Sequence, residues 1–334
     1  MSQQKQTYMN NKFTDSPPLN VQAAAILGIN SSKYSTYTTI IKRYEKLAKG
    51  NDWVNEDKTI WPISKENLSK FISYLHPKVA PPTIISYLSA LNHHHNMNHT
   101  DWSQIRYDPL IKQLLKTIED NHTFKPTKQK EHITRDQLRY IITKLNLNDP
   151  DNLLFWTTAL VAFYGLARLG ELLPKSQQDI TKIPTLQALK FEKSDTNTFA
   201  TIQLPRTKNH KIVERPILII NQTKDDLCPI HILKAYIVRR TNTTYAPRSK
   251  ALFIKANGNL ATKAWFINNL KSLLPGANVA GHSFRAGGTT ELVLRGVQLP
   301  LIQRIGRWSS DAFYKYIRTH HATVAAILSK AYSD

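Results

Sequence analysis

The chain has 334 residues, of which 41% are hydrophobic, so it is long enough for two domains of ordinary size with a core each. Lysine and arginine number 45 against 24 aspartate and glutamate residues, and the net charge of +21 favours a nucleic acid or an acidic membrane as partner. No apolar run reaches the roughly 18 residues of a membrane-spanning helix, and the N-terminus is polar, which argues against a transmembrane or secreted protein. A single cysteine, Cys228, excludes an internal disulfide and a zinc site of several thiolates. We expect a reducing compartment, with Cys228 as a small residue that is mostly buried.

The first part of the chain predicts a polar arm over residues 1–20 and a small helical domain over 21–120. Four segments of this domain repeat apolar residues at positions i, i+3, i+4 and i+7, the period of an amphipathic helix. These residues are Tyr37, Ile40, Ile41 and Tyr44; Leu68, Phe71, Ile72 and Leu75; Ile84, Tyr87, Leu88 and Leu91; and Ile111, Leu114, Leu115 and Ile118. The fourth segment follows Asp108 and Pro109, which are typical of an N-cap and a first helical residue.

Basic residues of this domain fall away from the apolar stripes, where they are candidate contacts for nucleic-acid phosphates. They are Lys42, Arg43 and Lys46 on the first helix and Lys112 and Lys116 on the fourth. Four histidines, His93, His94, His95 and His99, follow the third helix without cysteine or acidic partners. We therefore interpret them as a polar helix end rather than as a metal site.

The second part of the chain begins after a linker predicted over residues 121–132. A helix is predicted near Thr134 and another over 151–173. Residues 198–204 and 212–220 are rich in β-branched side chains and flank the polar turn PRTKNHK, which indicates a β-hairpin. From Pro229 the helical period returns and continues to the end. The fold class is mainly α, with a small antiparallel sheet in a second domain over 133–334.

Five segments of this second part hold side chains suited to phosphate chemistry, and the first is YGLARLGELL. Its Arg168 and Glu171 are three residues apart, so on a helix they share a face and can pair. Such a pair fixes the guanidinium for a bidentate grip on phosphate oxygens. The alternative is an ordinary surface ion pair, and the apolar neighbours Leu166, Ala167 and Leu169 argue against it.

The second segment is the predicted hairpin tip, where Lys208 or Lys211 can protonate a leaving alkoxide. Charge alone does not distinguish the two lysines, and the alternative is a solvated basic turn. In the third segment, GHSFRAGG, His282 and Arg285 share a helical face and offer a proton acceptor and a second phosphate-binding group. We expect the flanking glycines to leave room for a DNA backbone, although the segment is also compatible with a helix start capped by histidine.

The last two segments lie near the C-terminus. Trp308, in GRWSSD, can donate its indole N–H to a phosphate oxygen while its ring packs the site, or it can be core filling only. Tyr314 and Tyr316 point roughly 200° apart on a helix, so only one of them faces a given site. Tyr316 lies beside Phe313 and Ile317 on the apolar side, where the alternative is a buried structural tyrosine.

Taken in chain order, these residues resemble the catalytic set of tyrosine recombinases, the family of phage integrases, Xer-type resolution enzymes and Cre. The string GRWSSDAFYKYIR looks most like the recombinases of crypton DNA transposons and DIRS-type retroelements. The resemblance covers roughly residues 133–334, and the helical segment before it fits the family's core-binding domain only in architecture. One departure is that many bacterial relatives place the tyrosine nine residues after the His or Trp position, whereas Tyr316 follows Trp308 by eight.

The resemblance implies a role for each residue and a metal- and ATP-independent reaction without a cofactor, through a 3′-phosphotyrosine intermediate. The roles are Arg168 and Arg285 as phosphate-binding arginines, Glu171 as supporting acid, Lys208 as general acid, His282 as base, Trp308 as phosphate contact and Tyr316 as nucleophile. Tyr316 is preferred to Tyr314 because an apolar and a basic residue follow it.

The resemblance also implies double-stranded DNA as partner, no membrane, and a homo-oligomer on DNA in the form of a synaptic tetramer. The first domain is expected to close a C-shaped clamp on DNA, and the alanine-rich tail over 319–334 to form a helix that docks on a neighbouring protomer. A eukaryotic mobile element implies the nucleus, and otherwise the cytoplasm or nucleoid is expected. Two alternatives stay open: a type IB topoisomerase, and a domesticated DNA-binding protein without activity. The presence of all seven catalytic residues argues against the second, because domesticated proteins commonly lose some of them.

Overall fold

The computed structural model describes residues 31–98, 102–123, 130–205, 215–242, 250–309, 313–314 and 329. The chain divides into two compact units, Met1–Thr127 and Lys128–Asp334. The predicted N-terminal arm and nearly all of the predicted tail lie outside the described residues. No helix within the described ranges is long and apolar enough to cross a membrane.

The first unit is built from helices around an apolar core, with a smaller apolar cluster of Tyr37, Ile40, Ile41 and Ala90 beside it. Its helices are α1 (Ser31–Gly50), α2 (Lys65–Leu75), α3 (Pro81–Asn98), α4 (Trp102–Arg106) and α5 (Pro109–Asn121). The four predicted helices are confirmed, and α4 is a short helix that the periodicity missed. At the start of α5 the Asp108 carboxylate accepts a hydrogen bond from the Leu110 N–H, which confirms the predicted cap. The apolar stripes meet in a core that includes Tyr44, Phe71 and Ile111.

The histidines of α3 correct the sequence interpretation. The helix continues to Asn98, and His94 and His95 are 7% and 1% exposed, so a polar helix end is wrong for these two. Their rings lie 4.2 Å from the Trp61 ring and 5.3 Å from the Trp102 ring, in aromatic packing inside the unit. His99 lies outside the described residues. Among those described, no three His, Cys, Asp or Glu side chains are grouped to hold a metal ion.

The second unit is mostly helical, with a three-stranded sheet. Its α-helices are α6 (Arg135–Thr143), α7 (Pro150–Tyr164), α8 (Leu169–Leu172), α9 (Pro229–Thr241), α10 (Lys263–Leu273), α11 (Gly281–Leu294) and α12 (Leu299–Gly306). Every residue of α7 from Leu153 to Phe163 is buried, because α9 and α11 pack against this central helix. The predicted helix near Thr134 is confirmed as α6, with the Thr134 hydroxyl accepting from the Gln137 N–H.

The predicted helix over 151–173 is interrupted, and the interruption positions the candidate site. Helix α7 ends at Tyr164, and a turn of Gly165, Leu166 and Ala167 precedes Arg168, the N-cap of α8. Leu166 has a φ of 44°, a left-handed conformation that costs a non-glycine residue energy and must be held by its surroundings. The prediction of an uninterrupted helix was therefore wrong. The turn residues Leu166 and Ala167 are apolar and buried, so the apolar pattern continues through the turn as it would through a helix.

The sheet has the order β1-β2-β3 and is antiparallel throughout. Its strands are β1 (Leu189–Lys193), β2 (Thr198–Gln203) and β3 (Ile217–Asn221). The predicted hairpin is confirmed as the β2–β3 pair, in which Gln203 faces Ile217, but β3 begins later than predicted and β1 was missed. Residues 206–214, which include Lys208 and Lys211, lie outside the described residues.

The helical period predicted from Pro229 onward fails over residues 251–261. Two isolated antiparallel bridges, Thr185 with Ala251 and Ile254 with Leu260, replace helix there. Cys228 is buried, as predicted, at the start of α9.

Candidate active site

The site begins at the turn between α7 and α8. Arg168 and Glu171 pair as predicted, with Nη1 of the guanidinium 2.8 Å from Oε1 of the carboxylate. The Arg168 backbone N–H also donates to Oε2 of Glu171 at 2.9 Å, so the carboxylate caps the short helix α8. The Arg168 side chain is 42% exposed and the Glu171 side chain 11% exposed. An ordinary surface ion pair does not describe this arrangement, because the acid is inside and the arginine reaches outward.

Glu171 is shared by three arginines. Besides Arg168, Arg307 places Nη2 3.0 Å from Oε2 of Glu171, and Nη1 of Arg285 lies 4.0 Å from the same oxygen. Burial by itself raises the pKa of Glu171, but the charge of Arg307, the Arg168 N–H bond and the charge of Arg285 outweigh it and lower the pKa below its usual value. The carboxylate is therefore ionised at neutral pH and holds three like charges together.

Arg285 lies on α11 and is fully buried. Its two terminal nitrogens donate to the backbone carbonyls of Leu166 and Gly306, which joins the α7–α8 turn to the end of α12. The Trp308 ring lies over this guanidinium, with its centroid 4.0 Å from Cζ, a cation–π contact. Of the two predicted phosphate-binding arginines, only Arg168 presents its side chain at the surface.

His282 stands on the first turn of α11, three residues before Arg285. Its side chain reaches solvent, yet the protein atoms packed around it lower its pKa. The positive charges of Arg168, Arg285 and Lys263 lower the pKa further, and Glu171 opposes them. The imidazole is therefore neutral at pH 7 and can accept a proton.

The glycines beside His282 and Arg285 correct a further expectation. A Cβ on Gly287 would lie 1.9 Å from the Ile133 carbonyl oxygen, and one on Gly288 would lie 2.0 Å from the Phe163 carbonyl oxygen. These two glycines allow α11 to pack against α7 and the segment before α6. The interpretation that they make room for a DNA backbone is wrong for both.

Arg307 was missed by the sequence reasoning. It follows α12 in a left-handed conformation with φ of 60°. Its Nη1 donates to the Gly165 carbonyl at 3.3 Å, and its Nη2 donates to the Leu166 carbonyl at 3.1 Å and to Glu171. A signal was present, because Arg307 stands nine residues before Tyr316 (316 − 307), the spacing that the resemblance assigns to the His or Trp position.

Trp308 is held against its own chain and faces the site. A Cβ on Gly306 would lie 1.6 Å from Cζ3 of the indole, so the glycine is required for the ring to lie there. The ring centroid is 5.9 Å from that of Phe313, which is buried, whereas Tyr314 is exposed. Tyr316 and Lys208 lie outside the described residues, so the structure brings together five of the seven predicted residues: Arg168, Glu171, His282, Arg285 and Trp308.

The predicted phosphate contacts of the first unit are exposed. Lys42 and Lys46 on α1 and Lys112 and Lys116 on α5 point away from the core. Arg43 is exposed too, but its Nη1 donates to the Tyr87 hydroxyl at 2.8 Å. This bond fixes the Arg43 guanidinium at the surface.

Neither a family model nor a curated protein matches the chain. Solved structures do. XerH site-specific recombinase, in a post-cleavage complex with palindromic difH substrate, is 16% identical, with 90% of this chain and 79% of that chain covered and a TM-score of 0.58. The Tn1549 transposon integrase in complex with transposon right end DNA is 11% identical over 98% of each chain, with a TM-score of 0.53.

A lambda integrase dimer bound to a COC′ core site is 11% identical, with 87% of this chain and 89% of that chain covered and a TM-score of 0.50. The chain has the fold of the tyrosine recombinases. At 11–16% identity the similarity is one of fold.

Proposed function

We propose that the protein is a site-specific DNA recombinase or transposase that cleaves and rejoins duplex DNA through a covalent bond to Tyr316. The observation that carries the proposal is the convergence of Arg168, His282 and Arg285, with Trp308 stacked on Arg285, near the mostly buried Glu171 in a chain with this fold. These residues span more than 100 positions of the sequence, so only the fold brings them together. A net charge of +21 supports a polyanionic substrate.

In the proposed reaction the Tyr316 phenol oxygen attacks a DNA phosphorus in line with the bond to the 5′ oxygen. A P–O bond to tyrosine forms, the P–O5′ bond breaks, and the phenol proton passes to His282. Lys208 donates a proton to the departing 5′ oxygen. The energy of the phosphodiester stays in the 3′-phosphotyrosine bond, so the reverse steps rejoin the strand without ATP, and no metal or other cofactor takes part.

The arginines stabilise the negative charge of the transition state. Arg168 is the group that DNA meets at the surface, and Glu171 holds its guanidinium in one orientation. Arg285 acts through its charge from beneath, and it contacts the same phosphate directly only if DNA binding uncovers it. Trp308 stacks on Arg285 and keeps that guanidinium in place. Its indole nitrogen is buried, so the proposed phosphate contact of the indole N–H also requires that DNA binding uncovers it.

The proposed partners follow from charge and from the fold. Lys42, Arg43, Lys46, Lys112 and Lys116 of the first unit bind phosphates of the same duplex. The active assembly is a synaptic tetramer on paired sites, in which the tail over 319–334 docks on a neighbour. The resemblance to crypton and DIRS-type elements supports a nuclear location.

The deciding experiment offers nicked suicide substrates, made from a random duplex library, to the wild type and to Tyr316→Phe. We expect the wild type to form an adduct that survives SDS, and Tyr316→Phe to bind DNA without forming one; Tyr314→Phe is the matched control. Sequencing the trapped DNA identifies the site. An undiminished adduct in Tyr316→Phe moves the nucleophile elsewhere, and relaxation of any supercoiled plasmid regardless of sequence identifies a topoisomerase instead.

The general acid is tested separately. Lys208→Ala is expected to slow cleavage sharply, and a 5′-phosphorothiolate substrate, whose leaving group needs no proton, to restore it. Failure of this rescue, or a larger loss in Lys211→Ala, removes the assignment to Lys208.

A further inference from the structure

Lys263 lies across the turn that carries Arg168. It is the first residue of α10, and its backbone N–H donates to the Pro174 carbonyl at 3.0 Å. Its side chain covers Gly170: a Cβ on that glycine would lie 2.8 Å from Nζ, 3.2 Å from Cε and 4.0 Å from Cδ of Lys263. The outer half of the lysine can lie there because Gly170, two residues after Arg168, has no side chain.

The charge of Lys263 belongs to the same electrostatic environment as the arginines. It is one of the three cations that depress the pKa of His282, together with Arg168 and Arg285. Among the residues that the structure describes, no carboxylate lies within ion-pair distance of Lys263. Glu171, the one acid of the described site, is already shared by three arginines.

Lys263 is also one of the site's cations that a ligand can reach. Arg285 is fully buried and Arg307 nearly so, whereas Lys263 is half-buried with its stem on Gly170. An ammonium has three N–H donors and is a compact charge suited to a phosphate oxygen. Packing of its stem reduces the conformational entropy that binding would otherwise cost.

We propose that Lys263 is a further DNA-binding residue of this site, which binds a phosphate of the strand held by Arg168. This inference rests on the proposed function only in that the ligand is DNA. Lys263 binds the DNA backbone beside the reacting phosphate, while Lys208 of the hairpin remains the proton donor. Gly170 has a defined part in this arrangement, since its lack of a side chain leaves room for the ammonium at the observed position.

The test measures how the affinity for duplex DNA depends on salt, in a Tyr316→Phe background that prevents cleavage. The probe is the duplex recovered by covalent trapping or, if the wild type traps none, a random 40-base-pair duplex, so the test stands even where the recombinase activity fails. Losing one phosphate contact reduces the slope of log affinity against log salt by about 0.9. Between 50 and 200 mM salt, the factor by which the affinity of the variant falls is then about 3-fold to 4-fold smaller than the factor for its parent.

Four variants separate position from charge. Lys263→Gln is expected to show the reduced slope. Lys263→Arg keeps the charge and is expected to show the same slope as its parent. Gly170→Ala keeps every charge but pushes the ammonium aside, so it also reduces the slope. Lys271→Gln, on the same helix and exposed, is the matched control for net charge and leaves the slope unchanged.

A second readout is the pKa of His282, followed by NMR. Removing the Lys263 charge is expected to raise it toward its ordinary value, and Lys271→Gln to leave it unchanged. Equal slopes for Lys263→Gln and its parent, or an equal reduction in Lys271→Gln, overturn the proposal. If the wild type forms no covalent adduct, the recombinase function is overturned but the Lys263 contact is not.

Discussion

Replacing Glu171 by glutamine tests whether one carboxylate holds the site together. The substitution keeps the size of the side chain and removes its charge. Arg307, 3.0 Å away, and Arg285, 4.0 Å away, are then left with each other's charge inside the protein. The glutamine also loses one of the two acceptor oxygens that receive the Arg168 N–H groups.

The expected loss of stability is large because Arg285 is fully buried and Arg307 nearly so. Removing one member of a buried ion pair costs about 3–5 kcal/mol. The contribution of Arg168 is discounted because its side chain is 42% exposed and solvent screens it, so we expect about 3 kcal/mol from Arg285 and Arg307. With a urea dependence of about 2 kcal/mol per molar, the midpoint of unfolding falls by about 1.5 M.

The assay is urea unfolding of the full chain at pH 7, with Asp179→Asn as control. Asp179 also pairs with a residue three positions away, at 2.5 Å, but that partner, Lys182, is 71% exposed. The control is expected to lose less than about 1 kcal/mol. If Glu171→Gln loses no more than this control, the buried cluster does not hold the site together.

The same variant predicts a pH dependence. The folded-state pKa of Glu171 is lowered, so its stabilisation is fully present above the unfolded value and is lost as the pH falls through the folded one. The stability difference between wild type and Glu171→Gln therefore shrinks below about pH 4.5. A constant difference down to pH 3 contradicts the lowered pKa.

Three further predictions test the packing, the missed arginine and the first unit. Gly288→Ala places a methyl group 2.0 Å from the Phe163 carbonyl oxygen and is expected to cost about 3 kcal/mol or more in urea unfolding, whereas Gly50→Ala, with nothing within 4 Å, is neutral or stabilising; similar values for both would refute the packing argument. Arg307→Lys loses the planar fork that reaches two carbonyls and a carboxylate, so we expect covalent adduct to form at least 10-fold more slowly while DNA affinity changes less than 3-fold, and the reverse pattern would make Arg307 a DNA contact. Lys112→Gln is expected to lower the salt slope of DNA binding by about 0.9, and an unchanged slope removes this residue from the DNA surface.

The sequence predicted most helices, because their apolar residues repeat at the helical period and polar caps mark several starts. Thr134 and Asp108 both cap helices where expected. The break after Tyr164 was not predictable in this way. The left-handed Leu166 is held by hydrogen bonds from Arg285 and Arg307, residues more than 100 positions later.

The candidate site was predictable as a set of residue types but not as a geometry. Arg168 with Glu171 could be paired from their spacing alone. The shared carboxylate could not, since Arg307 reaches Glu171 across 136 positions from a left-handed helix end. The role of Gly288 was misread for a similar reason, because only the packing of α11 on α7 shows what stands where its Cβ would be.

The sharing of Glu171 among three arginines has a consequence for the energetics of the whole second unit. Like charges gathered around a single acid repel one another, and an arriving anion relieves that repulsion in the native state only. Ligand occupancy and resistance to unfolding are then thermodynamically linked, so each strengthens the other. We therefore expect a bound polyanion to raise the free energy of unfolding of this unit.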